Sequence, residues 1–168
     1  MKFLLALILL TLFSGFNFAQ KNSIETDFEK NKIKFKLEKY SQGEDASSGY
    51  DYLVYKNKLQ IIKIREIWSS SANPVFRIED FFFKNGKLVA LARYTFAKKY
   101  YKTAVRGANI PLKQVEKMYL SDSKLTMWIE NGKTIPNSDT RRQEKEREVL
   151  EAAKNQLENY EFLKKEGN

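Results

Sequence analysis

The stretch Ile78-Glu-Asp-Phe-Phe-Phe-Lys-Asn-Gly-Lys-Leu-Val-Ala-Leu-Ala92 decides the fold, because its pattern comes twice. It returns 37 residues later as Val115-Glu-Lys-Met-Tyr-Leu-Ser-Asp-Ser-Lys-Leu-Thr-Met-Trp-Ile129. Glu79 aligns with Glu116, Lys87 with Lys124 and Leu88 with Leu125, and large apolar residues fill the three places before each turn. Each copy reads as strand, tight turn, strand. Asn85-Gly86 is the strongest turn signal in the chain, since a type I′ turn takes positive φ at both central residues, which Asn and Gly tolerate. A two-residue loop pairs Lys84 with Lys87 and sets the register outward from there. Regular alternation then puts Phe83 against Leu88, Phe81 against Ala90 and Glu79 against Ala92 on one side. In the second copy a turn at Asp122-Ser123 pairs Leu120 with Leu125, Met118 with Met127 and Glu116 with Ile129. Phe82, Val89 and Leu91 make the reverse side of the first hairpin apolar as well, so it is expected at the centre of a sheet, with the second hairpin nearer an edge.

Before the first copy, Tyr50–Tyr55 and Leu59–Trp68 form a looser hairpin around Lys56-Asn57-Lys58, which matches the central copy with one turn residue deleted. Pro74 opens the next strand where its missing donor is harmless. Ser41–Gly49 is a loop of residues that bond their own backbone. Ile33, Phe35 and Leu37 alternate with charges as a half-buried strand, and residues 20–31 read as a short helix or a lead-in. After the first copy the strand runs on through Phe96 into Lys98-Lys-Tyr-Tyr-Lys102, and Gly107–Pro111 connects to the second. Past Asn131-Gly132, Lys133–Ile135 adds a short final strand. The pattern then changes to period 3.6: Val149, Leu150, Ala153, Leu157, Tyr160 and Leu163 share a stripe on a helix over 139–165, opened by a capping box at Thr140 and Gln143.

The fold expected is mainly β (α+β): an antiparallel meander of six to eight strands built from repeated hairpins, with the long C-terminal amphipathic helix packed on the sheet. Burying that stripe stabilises the fold by several kcal/mol at about 25 cal/mol per Å². A small β-barrel with its helix outside is the alternative.

Lys2 followed by the run Phe3–Phe13, apolar apart from Thr11, and the segment Asn17-Phe-Ala-Gln20 reads as an export signal, residues 1–19, cleaved after Ala19. Residues 20–168 are then one domain, not membrane-spanning after cleavage, and periplasmic or secreted. The chain has no Cys, which excludes a lipid anchor through Cys and any disulfide. It has no His either, so the commonest general base and the commonest transition-metal ligands are missing together. No phosphate-cradling glycine loop and no nucleophile elbow occurs. The reading is therefore non-enzymatic, with no cofactor and no metal.

Charge points to binding. Lys2 lies in the leader, so 29 of the 30 Lys and Arg face all 21 Asp and Glu in the rest of the chain. Between Asp80 and Glu116 there is no acid at all, while eight Lys and Arg fall there. Arg93, Tyr94, Lys98, Lys99, Tyr100, Tyr101, Lys102 and Arg106 form a basic, aromatic stretch suited to an anionic surface. For an exported protein that partner is an anionic envelope lipid or glycan, or an acidic protein, rather than nucleic acid. The solvated-edge reading of these lysines stands beside it, since charges also keep sheet edges from pairing. A cavity-bearing carrier of a small apolar ligand is the alternative. A hydrolase using the repeated carboxylates Glu79 and Glu116 is a third reading, which requires the two acids to meet.

Overall fold

The computed structural model describes residues 24–43, 48–58 and 60–166, and divides into two compact units between Phe35 and Lys36. In the first, residues 24–31 form helix α1, which ends in the 3-10 turn Lys32–Lys34. The Asn31 amide donates to the Asp27 carbonyl at 2.9 Å, and the Phe28 ring stacks on Phe35 at 5.6 Å between centroids. Ile33, expected to alternate inward on a strand, is 93% exposed. The reason is local: the Phe35 amide bonds the Lys32 carbonyl and Lys34 Nζ bonds Asn31 Oδ1, so the segment closes as a turn before any strand starts.

The second unit holds eight antiparallel strands in meander order. They are β1 (Lys36–Gly43), β2 (Ser48–Asn57), β3 (Gln60–Ser70), β4 (Val75–Lys84), β5 (Lys87–Ala97), β6 (Lys113–Ser121), β7 (Lys124–Glu130) and β8 (Lys133–Ile135). A short helix, α2 (Tyr101–Val105), follows β5, and the long helix α3 (Arg142–Glu166) ends the unit. The repeated hairpin β4–β5 is the central pair and β6–β7 lies toward one edge, as its one-sided apolar pattern implies. The sheet stays open, with β1 and β8 at its two edges, so no barrel forms. Three residues of β8 offer too little ladder to close on β1.

Turn chemistry behaves as expected: Asn85 and Gly86 have φ of +51° and +74°, Asp122 and Ser123 +48° and +63°, Asn131 and Gly132 +48° and +77°. Lys84 pairs with Lys87 and Phe83 with Leu88. The alternation then breaks. Phe82 pairs with Ala90, which leaves Val89 as an extra residue, so Phe81 faces Leu91 rather than Ala90, and Glu79 faces Arg93 rather than Ala92. Thr126 is the extra residue in the second copy, where Met118 faces Trp128 rather than Met127, and Glu116 faces Glu130 rather than Ile129. The β2–β3 hairpin repeats the device: Lys56 pairs with Ile61 and Tyr55 with Lys63, which makes Ile62 the extra residue. Its turn sits one place later than Lys56-Asn57-Lys58, because Asn57 pairs with Gln60 and Lys58 takes φ of +52°. A bulge sends every side chain beyond it to the other face. Here it carries Leu91 and Trp128 to the side that α3 covers.

On that side Val54, Ile64, Phe81, Phe83, Leu91, Met118, Leu120 and Trp128 are buried with Val149, Ala153 and Tyr160 of α3, and Leu150, Leu157 and Leu163 pack at the margin. The helix begins at Arg142, not at 139, and its first turn is tied by Asp139 rather than by a Thr140–Gln143 box. Asp139 Oδ1 accepts the Arg141 amide at 2.9 Å, and its carbonyl accepts that of Arg142 at 3.2 Å. Polar anchors fix both ends. Arg142 donates to the carbonyls of Leu125 and Ile135 at 2.8 and 3.2 Å, and Glu146 accepts the Leu125 amide at 2.7 Å. At the far end Tyr160 donates to Glu38 at 3.0 Å and accepts from Lys56 at 2.8 Å. Burial works to raise the Glu38 carboxyl, but hydrogen bonds from Lys36 and Tyr160 and the charge of Lys56 hold it down at about 2. Among the described residues no helix is long and apolar enough to cross a membrane. The expected leader, residues 1–19, lies outside the described residues.

Candidate functional site

β5 ends at Ala97 because the chain turns under its own bonds: the Lys98 amide reaches the Pro74 carbonyl at 3.2 Å, and Lys98 Nζ reaches the Ser71 carbonyl at 3.2 Å. Residues Lys98–Tyr100 form one 3-10 turn and α2 follows directly, anchored by the fully buried Ala104. The turn lays Tyr101 edge-on against Phe76 at 5.4 Å between centroids, and Phe76 in turn meets Phe96 at 5.8 Å. The Tyr101 hydroxyl donates to the carboxylate of Asp51, which also accepts from Ser41 at 2.6 Å. Burial, then that hydrogen bond, pushes the Tyr101 phenol up from its ordinary value.

A groove of about 500 Å³ results. Lys98, Lys99 and Lys102 supply its charge, Ser48, Ser69, Ser70 and Ser71 its hydroxyls, and Phe76 and Tyr101 its apolar floor. No carboxylate is among these lining residues. Four of the eight residues of the basic stretch therefore meet in one place. Tyr100 lies beneath the Lys99 ammonium, 5.0 Å from ring centroid to Nζ, without lining the groove. Tyr94 pairs across the sheet with Ile78 and Gln114. Arg106 is exposed, and its carbonyl accepts from Lys39 at 3.4 Å.

Arg93 belongs elsewhere. On the side facing α3, cross-strand register lines up Glu66, Glu79, Arg93, Glu116 and Glu130 on five successive strands, β3 to β7. Arg93 donates to Glu116 and to Glu148 of α3, each at 2.8 Å, and its Nε stands 3.1 Å from Glu79. Burial opposes the Arg93 charge, but Glu79, Glu148 and Glu116 outweigh it and raise its pKa. The repeated carboxylates do share a face, and one guanidinium joins them. Glu116 is 5% exposed and also accepts from Trp128 Nε1 at 2.7 Å, with Lys145 at 3.4 Å. These donors hold the Glu116 carboxylate in place between the sheet and α3. Glu66 differs. Burial first, and then its neighbour Glu79, push its carboxyl up to about 7, while the Gln156 amide of α3 donates to it. Glu66 and Glu79 line a cleft of about 380 Å³ with Tyr50, Trp68 and Arg77, whose guanidinium sits 5.0 Å over the Trp68 ring.

Sequence reasoning passed over the serines and Glu66. Ser69–Ser71 reads as plain loop, and only the pairing of Gly49 with Ser69 brings Ser48 beside it. A single carboxylate on a strand, such as Glu66, carries no mark until its opposite residue is known to be another acid. No protein-family model, curated protein or solved structure matches the chain.

Proposed function

We propose that the chain is an exported, non-enzymatic binding module that engages an anionic envelope lipid, glycan or acidic protein through the groove of Lys98, Lys99 and Lys102. The observation that carries this reading is that three lysines line one groove whose lining, among the described residues, holds no carboxylate. The local charge excess of the segment between Asp80 and Glu116 supports it from the sequence. Clustered cations raise the local potential and draw anions in, and salt screens the attraction. Binding to anionic vesicles, an acidic polysaccharide and polyglutamate, each measured over a series of salt concentrations, is the test. At least one is expected to bind, with affinity falling as salt rises. The triple variant Lys98→Glu, Lys99→Glu, Lys102→Glu loses that binding. A control triple of equal charge change at the exposed, scattered Lys58, Lys84 and Lys154 keeps most of it. Binding that survives reversal in the groove would reject the reading.

A further inference from the structure

We propose that the group this groove recognises is a phosphomonoester carried on an organic body. The inference rests on the anion-binding reading above and names the anion. Charge is the first argument. Among the described residues three lysines line the groove, and one carboxylate, that of Asp51, accepts the Tyr101 hydroxyl beside it. The balance of two positive charges matches a phosphomonoester, which carries about −1.5 to −2 near neutral pH, better than the single charge of a carboxylate or a diester.

Donor chemistry is the second. A phosphate presents three strongly accepting oxygens in a tetrahedral array, where a carboxylate presents two in a plane. Serine hydroxyls at Ser70 and Ser71 rotate to suit, and each lysine ammonium has three donors. Lys98 spends one of its three on the carbonyl of Ser71, itself a lining residue, which ties its ammonium to the groove wall.

Size is the third. A space of about 500 Å³ falls within the range of organic ligand sites, roughly 300–1,000 Å³, and is far larger than bare phosphate. The Tyr101 hydroxyl is committed to Asp51, so Tyr101 offers the groove its ring, beside that of Phe76. The remainder of the ligand therefore has apolar area to lay on aromatic carbon, as a ring or the glycerol and acyl root of a lipid does.

Calorimetric titration of the full chain with phenyl phosphate, glucose 6-phosphate, inorganic phosphate and benzoate tests this, alongside flotation with phosphatidylcholine vesicles with and without phosphatidic acid. Phenyl phosphate and benzoate share a ring, so they isolate the charged group. Phenyl phosphate is expected to bind at least about tenfold tighter than benzoate and tighter than inorganic phosphate, and Lys98→Gln or Lys102→Gln to weaken it about tenfold each. Paired Ser70→Ala and Ser71→Ala substitutions should weaken phenyl phosphate more than benzoate. Affinity for phenyl phosphate should also rise with pH through about 6, where the second proton leaves, and this check needs no variant. Binding of soluble esters points to a soluble source, and binding of phosphatidic acid vesicles alone to a lipid one. Equal affinity for benzoate and phenyl phosphate overturns the phosphomonoester, and equal affinity for inorganic phosphate overturns the organic body. Absence of all phosphate binding while lysine-dependent binding to polyglutamate persists overturns this inference and leaves the anion-binding reading standing. Loss of both removes both.

Discussion

Asp80 shows how one side chain can hold a buried charge in place. It is 2% exposed, and its carboxylate takes both arms of the Arg65 guanidinium at 2.6 Å and Lys63 Nζ at 2.8 Å. Lys63 is itself buried, 4.7 Å over the Phe82 ring. Burial works to raise the Asp80 carboxyl, yet the charges of Arg65 and Lys63 prevail and hold it at about 2. Removing the anion strands two cations in a water-poor place, which costs more than the pair itself contributes. Asp80→Asn is expected to destabilise the fold by about 3–5 kcal/mol, read as a lower denaturant midpoint at unchanged slope. A loss below about 1 kcal/mol would show that water or another group satisfies the cations. Asp80, Lys63 and Arg65 were in plain view in the sequence, but not as a group. Their meeting depends on the β3–β4 register, which pairs Arg65 with Asp80 across a loop that has no turn signal as strong as Asn-Gly.

The elements were the most legible level. Turn dipeptides with positive φ and a 3.6 period placed the hairpins and α3, since both signals act within a few residues. The bulges at Ile62, Val89 and Thr126 were not legible, although all three extra residues occupy the third place of their return strands. A bulge leaves no mark in residue chemistry. It is selected because it puts Leu91 and Trp128 under α3 instead of on the reverse face. That dependence makes the helix essential to the sheet. Truncation before Arg141 uncovers Phe81, Leu91, Met118 and Trp128 together, at roughly 1.5–3 kcal/mol for each large side chain returned to water. Since total stability of a domain is about 5–15 kcal/mol, the truncated chain is expected to be insoluble or to bind hydrophobic dye without a cooperative melt. A soluble fragment with a sharp thermal transition would contradict the role given to α3.

The sheet and α3 meet across charged groups as well as apolar ones, and this gives the protein a pH response. Glu66 faces Glu79 of β4 in register, with Arg93 of β5 next in the row, Tyr52 opposite on β2, and Gln156 of α3 above. Its carboxyl sits at about 7 when folded, raised by burial and by Glu79 above the ordinary 4.5. The folded state therefore holds this proton more tightly than the unfolded chain does. The stability it contributes is complete below about pH 4.5 and is lost as pH rises through about 7, on the order of 3 kcal/mol. Glu38 and Asp80 run the other way: the stability they contribute is complete above their ordinary carboxyl values and is lost as pH falls from there toward about 2, below the window in which Glu66 titrates. Thermal melts between about pH 5 and about pH 8 are expected to show the parent falling while Glu66→Gln stays flat. Equal slopes for the two proteins would place the response elsewhere.

Composition, turn chemistry and periodicity by themselves determined the strand–turn–strand repeats, the terminal helix with its apolar stripe, and the basic segment free of acids between Asp80 and Glu116. Each of these follows from interactions between residues near one another in the chain. Only the tertiary structure decided that Arg93 leaves the other cations for a row of glutamates, that Asp80 holds Arg65 and Lys63, and that Lys98, Lys99 and Lys102 meet serines from two other segments. The physical reason is that a strand has two faces and a bulge exchanges them, so which side chains meet is settled by register between strands and by what α3 must cover, neither of which is written in any one stretch.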